Sequence, residues 1–271
     1  MLINGKLTKA MILAAGYGTR LNPLTLHTPK ALIKYKGVPL IEHVIKKLIF
    51  SGIEEIVVNT HYLTEQVEEY FNKNDFGIKI NLSFEKEILG TGGGIKNASG
   101  YFHVTPPFKC LSPNDLIGEE KPCAQMNESR NGDSKKDFFL VHNADVISNI
   151  DIKKMFSSHI LSGAFVTLAV NERKTSRPLL FDSDNHLAGR IINNDIFRNR
   201  LVQDENKQFD TIPKAFCGVH IVSTEIFDLF PEENIFDIIS FYMDICNIRN
   251  ITFYDIGNSG WKDMGKIEDF S

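Results

Sequence analysis

Near the start of the chain, two glycines, an arginine and a lysine stand close together in "MILAAGYGTRLNPLTLHTPKAL". Gly16 and Gly18 follow an apolar run, and Arg20 and Lys30 come soon after. A glycine turn between a strand and a helix aims backbone N–H groups at an anion. Arg20 adds a planar, two-pronged grip for phosphate oxygens, and Lys30 a second positive charge. The group suits a triphosphate. Read without a ligand, the same residues make a tight turn with solvated cations. Two familiar phosphate fingerprints are absent. No G-x-x-x-x-G-K-[ST] occurs, and Leu21 stands where the third glycine of G-x-G-x-x-G belongs.

Two aspartates offer metal chemistry. "FFLVHNAD" is an apolar run that ends in Asn143 and Asp145. A carboxylate at the carboxyl end of a parallel strand faces the ligand crevice, although an aspartate there can equally cap the next helix. Far downstream, "GWKDMG" places Asp263 beside the single tryptophan, Trp261. Phosphoryl chemistry uses Mg²⁺ held by one or two carboxylates, with phosphates and water as the other ligands. A third stretch, "FEKEILGTGGGIKNA", holds Gly90, Thr91 and three consecutive glycines. Such a run is poor helix material. It reads as a turn before a helix starting near Ile95, or as a backbone surface lying flat against a ligand.

The elements that must carry these residues alternate. "AMILAAG", "EEIVVNT", "IKINLSFE" and "DFFLVHNAD" predict strands. "PLIEHVIKKLIFSGI" predicts a helix with Leu40, Val44, Leu48 and Ile49 on one face, stopped by Gly52, and "TEQVEEYFNK" a helix opened by Thr64. Strands separated by helices predict a three-layer α/β/α fold around a central mixed, mostly parallel sheet. After Asp145 the pattern becomes richer in strand-like runs: "AFVTLAV", "PLLFDSD", "HLAGRII" and "FCGVHIV". Helices are expected at "NIDIKKMFSSHILSG", "TEIFDLF" and "IFDIISFYMDICNI". Residues 101–136 break the rhythm with Pro, Asn, Ser, Gly and charge, and predict a surface insert. With no repeat and no linker, residues 1–271 read as one domain containing that insert.

Bulk properties set bounds. The 271 residues carry 30 Lys and Arg against 34 Asp and Glu, a formal charge of −4. No global basic field favours nucleic acid or an anionic membrane. The four cysteines, Cys110, Cys123, Cys217 and Cys246, form no C-x-x-C pair, so neither a zinc site nor a disulfide framework is expected. No segment reads as a signal peptide or a membrane span, and the expectation is a cytoplasmic protein.

"LAAGYGTRLNPLT" with "PKAL" resembles the signature of the sugar-1-phosphate nucleotidylyltransferases. The resemblance continues through "GVPLIEHVIKKLIFSGIEEIVVNTHY", "LGTGGGI", "FLVHNADV" and "WKDMG". It covers nearly the whole chain apart from the insert and the first residues. It implies a Rossmann-like fold of the nucleotide-diphospho-sugar transferase type and a reaction of NTP with sugar 1-phosphate, giving NDP-sugar and pyrophosphate for cell-envelope polysaccharide. By resemblance Ala14, Ala15, Gly16, Gly18, Thr19 and Arg20 wrap the nucleotide, with Arg20 on the β- and γ-phosphates and Lys30 on the α-phosphate. Glu85, Gly90 and Thr91 border the base, of GTP or UTP. Asn143 and Gly218 meet the sugar or its phosphate. Asp145 and Asp263 hold Mg²⁺. Homo-oligomers also fall within what the resemblance allows. The chain departs from the family at "NAD" for "NGD", at Gly265-Lys266 for "GT", and in lacking the Glu-Lys-Pro lysine of the sugar phosphate. Arg177, Lys174 and Lys214 are the candidate substitutes. Two other readings share parts of the pattern: a cytidylyltransferase acting on a phosphate such as phosphocholine, and a non-catalytic nucleotide-binding homologue. His142 and His220 read as structural neighbours of the site.

Overall fold

The computed structural model describes residues 6–102, 137–193, 195–198 and 211–270. The insert reading at 101–136 lies outside the described residues from 103 onward, as do Cys110 and Cys123.

Strands β1 (Lys9–Leu13), β4 (Glu55–Thr60) and β5 (Lys79–Phe84) run parallel, with β6 (Phe138–Asn143) parallel to β1 on its other side. The spatial order is therefore β5-β4-β1-β6. Strand order reverses between β1 and β6, and in open α/β sheets a crevice forms beyond the carboxyl ends at such a reversal. Between β1 and β4 lie a small hairpin, β2 (Lys34–Tyr35) with β3 (Val38–Pro39), and helix α1 (Leu40–Phe50). Helix α2 (Thr64–Lys73) joins β4 to β5, and α3 (Gly90–Asn97) follows β5.

Alternation along each strand feeds two cores. Ala10, Ile12, Ile56, Val58 and Leu140 pack on one face against α1 and α4 (Ile152–Ser162). Met11, Val57, Phe139 and Val141 pack on the other against α3 and α5 (Ile238–Ile245). Period-two burial of this kind makes a sheet covered on both sides, the predicted three layers. Helix α1 buries Leu40, Ile41, Val44, Ile45 and Leu48, a face wider than its sequence suggested. Helix α4 starts where the Asp151 side chain accepts the Lys154 N–H at 3.0 Å and ends at Gly163, whose φ is +60°. These are ordinary cap devices.

The later strands are mixed, as expected. They are β7 (Val146–Ser148), β8 (Val166–Asn171), β9 (Leu179–Phe181), β10 (Leu187–Ile192), β11 (Asp195–Arg198), β12 (Ile212–Ser223), β13 (Ile251–Asp255) and β14 (Trp261–Asp263). The twelve residues of β12 pair antiparallel with β6, β8 and β9. Outside this sheet, β14 pairs with β7. Among the described residues no helix is long and apolar enough to cross a membrane.

Three expectations need correction. The helix placed near Ile95 begins at Gly90. "TEIFDLF" forms a 3₁₀ helix over Thr224–Leu229. The next helix starts only at Ile238, because Asp237 is extended and caps it by accepting the Ser240 N–H at 2.9 Å.

Candidate active site

A cleft of about 380 Å³ opens at the carboxyl ends of β1, β4 and β6. Most of the residues singled out in the sequence line it: Ala14, Ala15, Gly16, Gly18, Thr19, Arg20, Lys30, Glu85, Gly90, Thr91, Asn143 and Asp145. The two remaining ones stand close by. Gly218 touches the back of Asn143, since a Cβ there would lie 2.8 Å from the Asn143 amide nitrogen. Asp263 stands behind Gly265, another lining residue.

The two glycines of the first loop do different jobs. Gly18 has φ +66°, and a Cβ there would lie 2.9 Å from the Thr25 methyl and 3.0 Å from Lys30 Cβ. Its glycine lets the loop fold back on itself, and Thr25 Oγ1 donates to the Gly18 carbonyl at 3.0 Å. Around Gly16, by contrast, a Cβ would meet nothing within 4 Å, so the backbone there is open to the cleft it lines.

Asn59 ties three walls together. Its Oδ1 accepts the Ala14 N–H at 2.6 Å, and its Nδ2 donates to Glu85 Oε1 at 2.6 Å. Glu85 Oε2 accepts the Leu89 N–H at 3.1 Å. The sequence reading missed Asn59. The signal was present, because "IVVNT" closes an apolar strand on a polar residue just as "FLVHN" does.

The triple glycine serves the protein itself. A Cβ on Gly92 would lie 2.2 Å from the Phe236 ring, and one on Gly93 2.0 Å from the Asn234 carbonyl oxygen. The Phe236 carbonyl accepts the N–H groups of Gly92 and Gly93 at 3.0 and 3.3 Å. Lys96 fastens the same segment, giving its ammonium to the carbonyls of Pro231, Glu232 and Glu233 and to Asn234 Oδ1. Of this stretch, Gly90 and Thr91 face the cleft, while Gly92 and Gly93 let residues 234–236 lie against α3 and Gly94 makes room for the Glu85 and Asn59 side chains.

The carboxylates meet through the small β7–β14 ladder, in which Asp263 pairs with Val146 and the Met264 N–H bonds the Asp145 carbonyl at 2.8 Å. Trp261 anchors this ladder by donating its indole N–H to the Cys217 carbonyl at 2.9 Å, and the Arg173 guanidinium stacks 3.9 Å from its ring. The Lys30 ammonium is ion-paired with the Asp145 carboxylate. Asp263 Oδ1 is buried without a hydrogen-bond partner. Burial, and then the Asp145 charge, push the Asp263 carboxyl above its usual range, with Lys30 and Arg20 pulling it partway back. An orphaned carboxylate oxygen beside a second carboxylate fits a divalent cation. Among the described residues no group of three or more His, Cys, Asp or Glu gathers to hold a metal. A cation here therefore needs phosphate or water for its other ligands, the habit of Mg²⁺. Ala144, the departure from "NGD", turns its methyl into the core and is 5% exposed.

Of the candidate cations for a sugar phosphate, Lys214 is committed elsewhere. Its side chain is buried between Glu172 and Asp255 at 2.9 and 2.7 Å. Lys174 and Arg177 are exposed. His142 and His220 are buried, and burial lowers their pKa values to about 4 and about 3. They stay neutral inside the sheet, as their reading as structural neighbours requires.

Residues 9–181 match the family model described as nucleotidyl transferase. Over 274 residues the chain is 29% identical to the mannose-1-phosphate guanylyltransferase catalytic subunit beta of Danio rerio, an alignment covering 97% of this chain and 62% of that protein. It spans less than two thirds of that relative's length. It is 26% identical to the D-glycero-alpha-D-manno-heptose 1-phosphate guanylyltransferase of Aneurinibacillus thermoaerophilus, with 97% and 95% of the two chains covered. Among solved structures, HddC from Yersinia pseudotuberculosis superposes with a TM-score of 0.67 at 21% identity, over 97% and 96% of the two chains. That likeness extends the shared fold to nearly the full length.

Proposed function

The chain belongs to the nucleotidyl transferase family, and on that premise we propose that it joins a nucleoside triphosphate to a sugar 1-phosphate, releasing pyrophosphate and an NDP-sugar. The observation that carries this reading is the cleft in which a glycine turn, Arg20 and Lys30 face the Asp145 carboxylate at the sheet's strand-order reversal.

In this reading the open space at Gly16 admits the triphosphate. Arg20 grips the phosphates that leave, and Lys30 the phosphate that is attacked. An oxygen of the sugar 1-phosphate attacks the α-phosphorus, and the bond to the β-phosphate oxygen breaks in line. The nucleophile is already an anion, so no side chain has to remove a proton. The chain's contribution is to position the two substrates and to supply fixed positive charge where negative charge shifts. Asp145 and Asp263 would hold Mg²⁺, which neutralises phosphate charge when bound. Asn143, backed by Gly218, orients the sugar phosphate.

Glu85 bears on the base. A carboxylate only accepts hydrogen bonds. The guanine edge offers two adjacent N–H donors and the uracil edge one; Glu85 is 1% exposed and already accepts from Asn59 and from the Leu89 N–H, so only its remaining lone pairs are left for the base, and on those it favours GTP over UTP. The relatives named for guanylyl transfer point the same way. The test is a pyrophosphate-release screen of four NTPs against a panel of sugar 1-phosphates, with and without Mg²⁺. No release with any pair refutes the reading. Equal rates with GTP and UTP refute the role given to Glu85.

A further inference from the structure

A second cleft, of about 520 Å³, shares no lining residue with the first. Arg173, Arg177 and Arg190 line it, together with Phe216, Asp237 and Ser240. Two links place it next door. Thr91, which lines the first cleft, donates its hydroxyl to Asp237 Oδ2 at 3.0 Å. Phe216 stands two residues before Gly218 on β12, a strand step of roughly 7 Å, and Gly218 backs Asn143.

The charge in this second cleft is unbalanced. No salt bridge between described residues involves an arginine. Arg173 is occupied, giving its guanidinium to Asn171 Oδ1 at 2.8 Å and the Phe216 carbonyl at 2.6 Å while stacking on Trp261. Among the described residues Arg190 has one hydrogen bond, to Ser240 Oγ at 3.2 Å, with the Phe197 ring 6.0 Å from its guanidinium, and its Nε is buried with no hydrogen-bond partner. The Arg177 side chain is exposed and bonds no described residue. Among the described residues that line it, the one carboxylate, Asp237, is engaged by Thr91 and by the Ser240 N–H and hydroxyl. A guanidinium N–H without an acceptor is costly when buried; Arg190 is half-buried and Arg177 exposed, both line the cleft, and an anion entering it would meet the guanidinium groups they present there.

That anion is not the 1-phosphate, which has to reach the α-phosphorus beside Lys30 and Asp145 in the first cleft. We infer that the sugar substrate carries a second anionic group, a carboxylate or a phosphate, at the end away from C1, and that Arg177 and Arg190 bind it. The inference rests on the nucleotidyl-transfer reading above. A neutral sugar would give these two guanidinium groups nothing to pair with. Arg with a carboxylate or phosphate makes the planar, two-bond contact that selects such groups.

The test compares kcat/KM for matched pairs: hexose 1-phosphate with hexuronate 1-phosphate, and hexose 1-phosphate with hexose 1,6-bisphosphate. Wild type is measured beside Arg177→Ala, Arg190→Ala and Arg190→Lys, with melting curves to check folding. The expected result is an acidic-to-neutral ratio of about tenfold or more in at least one pair, consistent with a charged hydrogen bond. Each alanine variant should lower that ratio by about tenfold, and Arg190→Lys by less. The pair that responds distinguishes carboxylate from phosphate. A ratio below tenfold in both pairs, or a ratio that neither alanine variant moves, overturns the inference while turnover of the neutral sugar leaves the parent reading standing. No pyrophosphate from any sugar overturns both.

Discussion

Replacing Gly93 by alanine should make the protein melt earlier, and replacing Gly16 should instead weaken nucleotide binding. At Gly93 the new methyl would lie 2.0 Å from the Asn234 carbonyl oxygen and 2.9 Å from Leu89 Cβ. Restoring an ordinary contact moves residues 234–236 by roughly 1.4 Å, and overpacking of that size costs about 1–3 kcal/mol. The move also strains the bonds from Gly92 and Gly93 to the Phe236 carbonyl, each worth about 0.5–1.5 kcal/mol. Against this, alanine improves helix propensity by about 1 kcal/mol. The balance is about 2 kcal/mol of destabilisation, or a fall in Tm of roughly 4–8 °C for a chain of this size. At Gly16 a methyl meets no protein atom, so Tm should hold within about 1 °C. A methyl pressed against the triphosphate costs about 1.4 kcal/mol or more, a tenfold loss in Kd. Thermal melts and calorimetric titration with GTP read both effects. If Gly93→Ala melts like wild type yet binds GTP poorly, the triple glycine serves the ligand and the packing account fails.

Asp263→Asn should raise the Tm of the metal-free protein, because burial and the Asp145 charge raise the Asp263 pKa and a carboxyl whose folded pKa is raised costs stability wherever it is charged; Mg²⁺ should stabilise wild type and not this variant, and equal Mg²⁺ shifts would remove Asp263 from the metal. Arg20→Ala should raise KM for the NTP and lower kcat, whereas Lys30→Ala should act mainly on kcat, each costing about tenfold or more in kcat/KM; steady-state kinetics at saturating sugar phosphate decide, and wild-type values in both would reduce the opening stretch to a turn. Stability should fall as pH drops below about 6.5, because burial lowers His142 and His159 to about 4 and His220 to about 3, so the unfolded chain binds more protons throughout that window; denaturant titrations from pH 7 to 4 measure the slope, and a flat profile contradicts the buried, neutral histidines.

Most of the nucleotide half was legible because its signals are local. The apolar runs at Met11 and Phe139 are short and continuous, and both stop at residues that line the cleft. Asp145 could be read from its position at a strand end. The "GTGGG" helix was not legible, since its start depends on Phe236, 144 residues beyond Gly92 in the chain, pressing where a side chain would otherwise stand. Lys214 illustrates the same limit. As a lone lysine in "TIPKAF" it looked available for phosphate, and only the fold brings Glu172 and Asp255 to it. Arg190 was passed over because "HLAGRII" reads as a strand, and nothing nearby in sequence says that its guanidinium lacks a counterion among the described residues.

The position of β12 governs how the chain can be assembled. During synthesis roughly three quarters of the residues emerge before Ile212 does. Until then β6 has β1 on one side and an open, apolar edge on the other, and β8 is without the strand that joins it to β6. Open edges template pairing with other chains, and pairings between distant segments form slowly. The nascent nucleotide half is thus exposed to aggregation until β12 has been made. The family-matched stretch, residues 9–181, stops short of this strand, so excising it would separate a recognisable sequence from the element that closes its sheet.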